Sequence, residues 1–183
     1  RTSYPDHNRP VHLARRDAFF ESAVEILYAP RQVDGELNTR INQAERVLSL
    51  LQRAEKHGHL SAHSPVASAR ERDFLHFLEL ISKNVQSAQS MLLNQMHLGE
   101  EESFLRNFLR TDDEAYALPA MDYGRRAEDI FQGLWHVLRL ALSPYRTLQR
   151  EMCNTLNGEE RDRYQKAYIC AKQETMLPLP AEE

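Results

Sequence analysis

Glycine and proline are scarce in this chain, numbering six and eight among 183 residues. Sheet proteins turn tightly and often and use more of both, so the shortage points to helices. No segment alternates apolar and polar residues in the manner of a half-buried strand. No apolar run of about 18 residues occurs, so no transmembrane helix is expected. No signal peptide is visible. A basic excess is missing as well: 23 Lys and Arg face 27 Asp and Glu, for a formal charge of −4. That balance argues against a nucleic-acid footprint and against a polybasic membrane anchor.

Cysteine is rare. Cys153 and Cys170 are expected on adjacent antiparallel helices joined near Asn157-Gly158. At about 1.5 Å per residue they lie about 7 and 18 Å from that turn. The mismatch is beyond the reach of a disulfide. Two free thiols suit a reducing compartment, so a cytoplasmic location is expected. The chain begins at Arg1 rather than Met, which reads as a trimmed or mature piece and leaves a removed leader or a further domain open.

Catalytic signatures are absent too. Ser-x-x-Lys, Gly-x-Ser-x-Gly and Gly-x-x-x-x-Gly-Lys do not occur, and no two glycines are close enough to cradle a phosphate. A di-iron bundle needs two Glu-x-x-His pairs, and only Asp73-x-x-His76 comes near, with an aspartate. No catalytic, cofactor-binding or metal residue is assigned on this basis.

What is present is helical periodicity. Apolar residues at 42 % and charged residues at 27 % describe an ordinary globular chain. The expected fold is a single all-α domain over 12–176, preceded by an extended arm (1–11) and followed by a tail (177–183). It is a bundle of five or six principal long amphipathic helices with heptad-like seams. A first helix is expected from His12 to Tyr28, ended by Pro30. A second starts at the N-cap Asp34, carries Leu37, Ile41, Ala44, Leu48 and Leu51 on one face, and fades at Gly58. A third, capped by Ser64-Pro65, runs to about Leu98 along the seam Phe74, Leu78, Ile81, Val85, Ala88 and Leu92. Residues 100–110 read as a short amphipathic helix, and Thr111–Glu114 as a capping box. The stretch 122–156 keeps one seam through Phe131, Leu134, Leu138, Tyr145 and Met152, and its wide apolar arc makes it the expected central helix, kinked near Pro144. Asn157 to Glu160 restarts a last helix to about Thr175, with Tyr164, Ala167, Tyr168 and Ala171 as its apolar residues.

Three features suggest chemistry. Residues 57–63 hold His57, His59 and His63, with Glu55 nearby, in an expected polar loop. Imidazoles so close could take a metal, although the spacing matches no established metal motif and solvated histidines are the commoner case. Residues 84–98 carry no charge over about four turns. Their back face of Gln86, Ser87, Ser90, Asn94 and His97, beside Met91 and Met96, suits a surface covered by another helix, internal or from a partner. The polar face of 122–156 is basic, with Arg125, Arg139, Arg146 and Arg150, and reads either as a solvated face or as a docking stripe for an acidic partner. His76 adjoins the third seam and is expected to be a core histidine.

Together these point to a non-enzymatic protein–protein interaction module of the adaptor, regulator, chaperone or effector type. It would bind another protein or a second copy of itself through Gln86, Ser87, Ser90, Asn94 and His97, or through Arg139, Arg146 and Arg150. The alternative is a small-ligand- or metal-binding bundle, with an enzyme as one form of it, and with a polar cavity lined by His76, His136 or Tyr145. A third reading places nucleic acid on the arginine stripe and on a basic arm of Arg9, Arg15 and Arg16.

Overall fold

The structure is a computed structural model that describes residues 3–28, 37–94 and 127–176. Among the described residues every regular element is a helix: α1 (Ser3–Tyr28), α2 (Leu37–Ala62), α3 (Ala69–Asn94), α4 (Ala127–Leu140), α5 (Leu142–Thr155) and α6 (Gly158–Thr175). The all-α class is as expected. No described helix is long and apolar enough to cross a membrane. Both cysteines are free.

The centre of the bundle is not where the sequence places it. α1, rather than 122–156, is the helix enclosed by the others. It packs along α2 and α6 and also touches α4. Residues 16–24 of α1 are buried without a break. The sequence argument fails because it equates charge with solvent. α1 buries Arg16, Asp17, Glu21 and Ser22 beside Phe19, Phe20, Ala23 and Val24, so it shows no clean apolar stripe. α1 also begins nine residues before the expected His12, and Ser3–Val11 is helix rather than an extended arm. Pro10 lies inside it and costs one ladder hydrogen bond. Arg9 and Leu13 on either side are buried, and this tertiary anchoring carries the helix past the proline.

α2 runs antiparallel to α1: His12 meets His57 and Ile26 meets Gln43. It extends to Ala62, beyond the expected end at Gly58. Gly58 is not a cap; it is buried where α2 crosses α3, and a Cβ there would stand 3.2 Å from Leu75. α3 starts at Ala69, not Pro65. Its cap is Ser68, whose Oγ accepts from the Glu71 N–H while Glu71 Oε2 accepts from the Ser68 N–H. That is a Ser-x-x-Glu capping box. Phe74, Leu78, Ile81 and Val85 are buried as the seam requires, and Phe77 joins them.

The expected single helix over 122–156 is described from Ala127 as two, meeting at Ala141. Ser143 does not cap the second. Ala141 keeps helical φ and ψ of −70° and −15°. The ladder passes through it, from Ala141 N–H to Val137 C=O and from Tyr145 N–H to Ala141 C=O, each 2.9 Å. Pro144 has no N–H to offer the Leu140 carbonyl one turn earlier, which places the interruption there. Leu134, Leu138, Tyr145, Leu148 and Met152 are buried, so the seam holds across the junction. α6 opens with the expected box: Asn157 Oδ1 accepts from Glu160 N–H and Glu160 Oε1 from Asn157 N–H, each at 2.9 Å. The expected elements at 100–110 and 111–114 lie outside the described residues.

Candidate functional site

The most concentrated chemistry is a polar network inside the bundle, between α1, α5 and α6. Asp17 Oδ1 accepts from Arg16 Nε at 2.9 Å, and its Oδ2 accepts the Tyr164 hydroxyl at 2.5 Å. One turn on, Glu21 Oε2 accepts from Tyr145 OH at 2.6 Å and from Gln149 Nε2 at 3.2 Å. Glu21 Oε1 accepts from Tyr168 OH. Gln149 also donates to the Tyr164 oxygen at 3.1 Å, which joins the two carboxylate clusters. Arg16 is 1 % exposed. Its guanidinium lies 5.2 Å from the centroid of Phe74 and 3.7 Å from Met152 sulfur.

Burial pushes the Asp17 carboxyl up, and Arg16 and the Tyr164 hydroxyl pull it part of the way back. Burial is the largest single influence on Arg16 and opposes its charge, but Asp17, Tyr145 and Glu71 together more than offset it and its pKa is raised. Tyr145, Tyr164 and Tyr168 are all pushed up, first by burial and then by the carboxylates they face. All three phenols therefore stay protonated as donors. The network is a set of satisfied buried charges; its carboxylates are already taken.

A second buried pair ties α1 to the start of α3. Arg9 Nη2 donates to both Glu71 oxygens at 2.9 and 2.7 Å. Glu71 thus caps α3 and neutralises Arg9 together. The basic arm of the nucleic-acid reading is consequently internal: Arg9 and Arg16 are buried, and the half-buried Arg15 faces His57 and Glu174.

The histidines do not share a loop. α2 continues through His57 and His59 and points them to different faces, and His63 follows in the turn after it. His57 packs against α1, with its Nε2 accepting from Arg15 Nε at 3.1 Å. Its Nδ1 therefore carries the proton and donates to His12 Nδ1 at 3.0 Å. Burial, then the neighbouring cations, depress His57 to about 3. His63 is exposed. His59 turns to α3, where Nε2 stands 2.7 Å from Glu79 and 3.8 Å from Glu55. His76 is not a core histidine: it is 51 % exposed and its Nδ1 meets Glu79 at 3.0 Å. Glu55, His59 and Glu79 are the described residues that could hold a metal. Of the residues expected to line a polar cavity, His76 is exposed, His136 half-buried and Tyr145 buried.

Of the candidate docking residues, Gln86 is exposed and Ser87 half-buried, while the neighbouring Asn84 is buried. The side chains of Ser90 and Asn94, and all of His97, lie outside the described residues. Arg139, Arg146 and Arg150 are exposed. Arg146 nevertheless has an internal task, because its Nη1 lies 3.8 Å from the buried Glu21. Sequence reasoning missed Asp17, Glu21 and the tyrosines as a unit. A signal was available: Tyr164 and Tyr168 share a helix face, and buried phenols call for acceptors.

Compared with protein-family models, curated proteins and solved structures, the chain matches none.

Proposed function

We propose that this chain is a non-enzymatic interaction module of the adaptor, regulator, chaperone or effector kind. It works in a reducing compartment such as the cytoplasm and docks an acidic protein surface with Arg139 and Arg150. The observation that carries this reading is the division of the charges. Inside, Asp17, Glu21 and Glu71 are occupied by tyrosine and arginine donors that join helices. Outside, α4 and α5 hold Arg139 and Arg150 exposed. Groups enclosed in this way serve packing, whereas exposed guanidiniums suit carboxylate recognition. Arg146 is left out of the docking set because it neutralises Glu21. The uncharged face that begins at Gln86 and Ser87 is the second surface, for a partner or a second copy.

The test is quantitative affinity capture with the natural chain and with Arg139→Glu/Arg150→Glu, at low and high salt. Acidic partners held by the natural chain should be lost from the variant and should weaken with salt. An unchanged set of partners would overturn the assignment of this surface. The alternative of a metal- or small-ligand-binding bundle is favoured by one observation, the meeting of Glu55, His59 and Glu79. Native mass spectrometry separates the readings, because bound mass on each chain supports the alternative and a dimer mass supports self-association.

A further inference from the structure

On α2, Glu55 and His59 are four residues apart, and on α3, His76 and Glu79 are three apart. Each spacing puts two side chains on one helix face. The α2–α3 hairpin brings the two faces together on the side away from α1. His59 Nε2 lies 2.7 Å from Glu79 Oε2 and 3.8 Å from Glu55 Oε2, and His76 Nδ1 lies 3.0 Å from Glu79 Oε1. One ligand atom from each of Glu55, His59 and Glu79 falls within 4.8 Å of the others.

We propose that Glu55, His59 and Glu79 bind one divalent transition-metal ion of the zinc class between α2 and α3, with His76 holding Glu79 in place. A tetrahedral ion with bonds of about 2.1 Å spaces its ligand atoms about 3.4 Å apart. The present separations bracket that value. The His59–Glu79 contact must open by roughly 0.7 Å and the His59–Glu55 separation close by roughly 0.4 Å, and the side chains of His59 and Glu79 are partly exposed and can rotate.

The donor set selects the ion class. An imidazole nitrogen with two carboxylates suits zinc, nickel or cobalt, whereas calcium and magnesium take oxygen shells. Ser82, one turn beyond Glu79, is buried next to Glu55 with no hydrogen-bond partner for its Oγ. Ser82 is thus placed to steady the Glu55 carboxylate behind the ion, as outer partners of metal ligands do. Three protein ligands leave a fourth position on the solvent side for water.

The test uses the untagged full chain, stripped with a chelator and titrated with zinc by calorimetry and native mass spectrometry. Cobalt absorbance serves as a second readout. The proposal expects one zinc per chain and a thermal midpoint raised by about 5–10 °C at a hundredfold excess over Kd. Binding should be lost in His59→Gln and in Glu79→Gln, and weakened about tenfold or more in His76→Gln. His63→Gln and the pair Cys153→Ser/Cys170→Ser should bind normally. The mutated positions are partly exposed, so circular dichroism of each metal-free variant should match the natural chain. A chain that binds no zinc overturns the proposal. So does zinc that survives His59→Gln, or zinc that is lost with the cysteines.

Discussion

Removing the Tyr164 hydroxyl should destabilise the protein far more than one surface hydrogen bond would. Tyr164→Phe leaves the ring in place, 7 % exposed, and deletes the donor 2.5 Å from Asp17 Oδ2. That oxygen then has no other partner among the described residues, while Oδ1 keeps Arg16. A hydrogen bond to a buried charge is worth about 1.5–3 kcal/mol. Gln149 loses one acceptor but keeps Glu21 at 3.2 Å, so the second cluster adds little. The expected loss is about 2–3 kcal/mol, or a thermal midpoint about 5–10 °C lower for a chain of this size. Asp17→Asn strips the counter-charge from the fully buried Arg16 and should cost about 3–5 kcal/mol. Urea denaturation of both single variants and the double variant closes a cycle. If the carboxylate is what the phenol serves, Tyr164→Phe should cost less in the Asp17→Asn background. A loss under about 0.5 kcal/mol for Tyr164→Phe, or two costs that simply add, would refute the reasoning.

Other consequences can be checked directly. The folded state holds His57 at about 3 against 6.5 in the open chain, so it contributes stability above pH 6.5 that is lost as pH falls towards 3. His12 is lowered in the same sense, whereas the raised Asp17 works in the opposite direction, because acid relieves its burial. His57→Gln should flatten the acid limb of stability, and parallel curves for variant and natural chain would contradict this. Leu138→Ala, at a fully buried site, should cost about 2–5 kcal/mol by denaturant unfolding, and a cost below about 1 kcal/mol would mean the site is not packed as described. Arg146→Ala should lower stability measurably through its contact with Glu21, whereas Arg150→Ala should stay within about 0.5 kcal/mol; equal effects would remove the structural role given to Arg146. Thiol labelling should proceed faster at the exposed Cys170 than at Cys153, whose half-buried thiol is pushed up by burial, and the reverse order would refute that environment.

Much of the fold was legible because most helices bury apolar residues at helical spacing. The α3 seam, the continuation of one seam through Leu138 and Tyr145, and the Asn157–Glu160 box all follow from local rules that tertiary packing did not override. α1 was illegible for the opposite reason. Its buried positions include Arg16, Asp17, Glu21 and Ser22, and a periodicity search places such residues in water. The α3 start was misread because Ser64-Pro65 is the stronger local signal, while Ser68 is the cap because Glu71 must also meet Arg9. The metal candidate was half legible. Glu55 and His59 are legible as neighbours, but their partner Glu79 is supplied by α3, and sequence spacing carries no information about which face crosses which.

The polar contacts between α1 and α6 explain why a protein would keep buried charges that apolar residues could replace. Asp17 meets Tyr164 and Glu21 meets Tyr168, pairs each separated by 147 residues, and Glu25 meets Lys172 at the same separation. The constant offset makes the two helices parallel neighbours in one fixed register. The small apolar residues between them, Ala14, Ala18, Ala167 and Ala171, are nearly interchangeable and would tolerate a slide of one turn. The polar pairs would not. A slide that set Asp17 beside Tyr168 would bring Glu21 to Lys172 and leave the buried Tyr164 O–H facing Leu13 with no carboxylate to accept it. Stranding a buried polar group costs about 1–3 kcal/mol, so the wrong register is penalised at several positions together. The tyrosine–carboxylate pairs thereby specify alignment where packing alone would leave it loose.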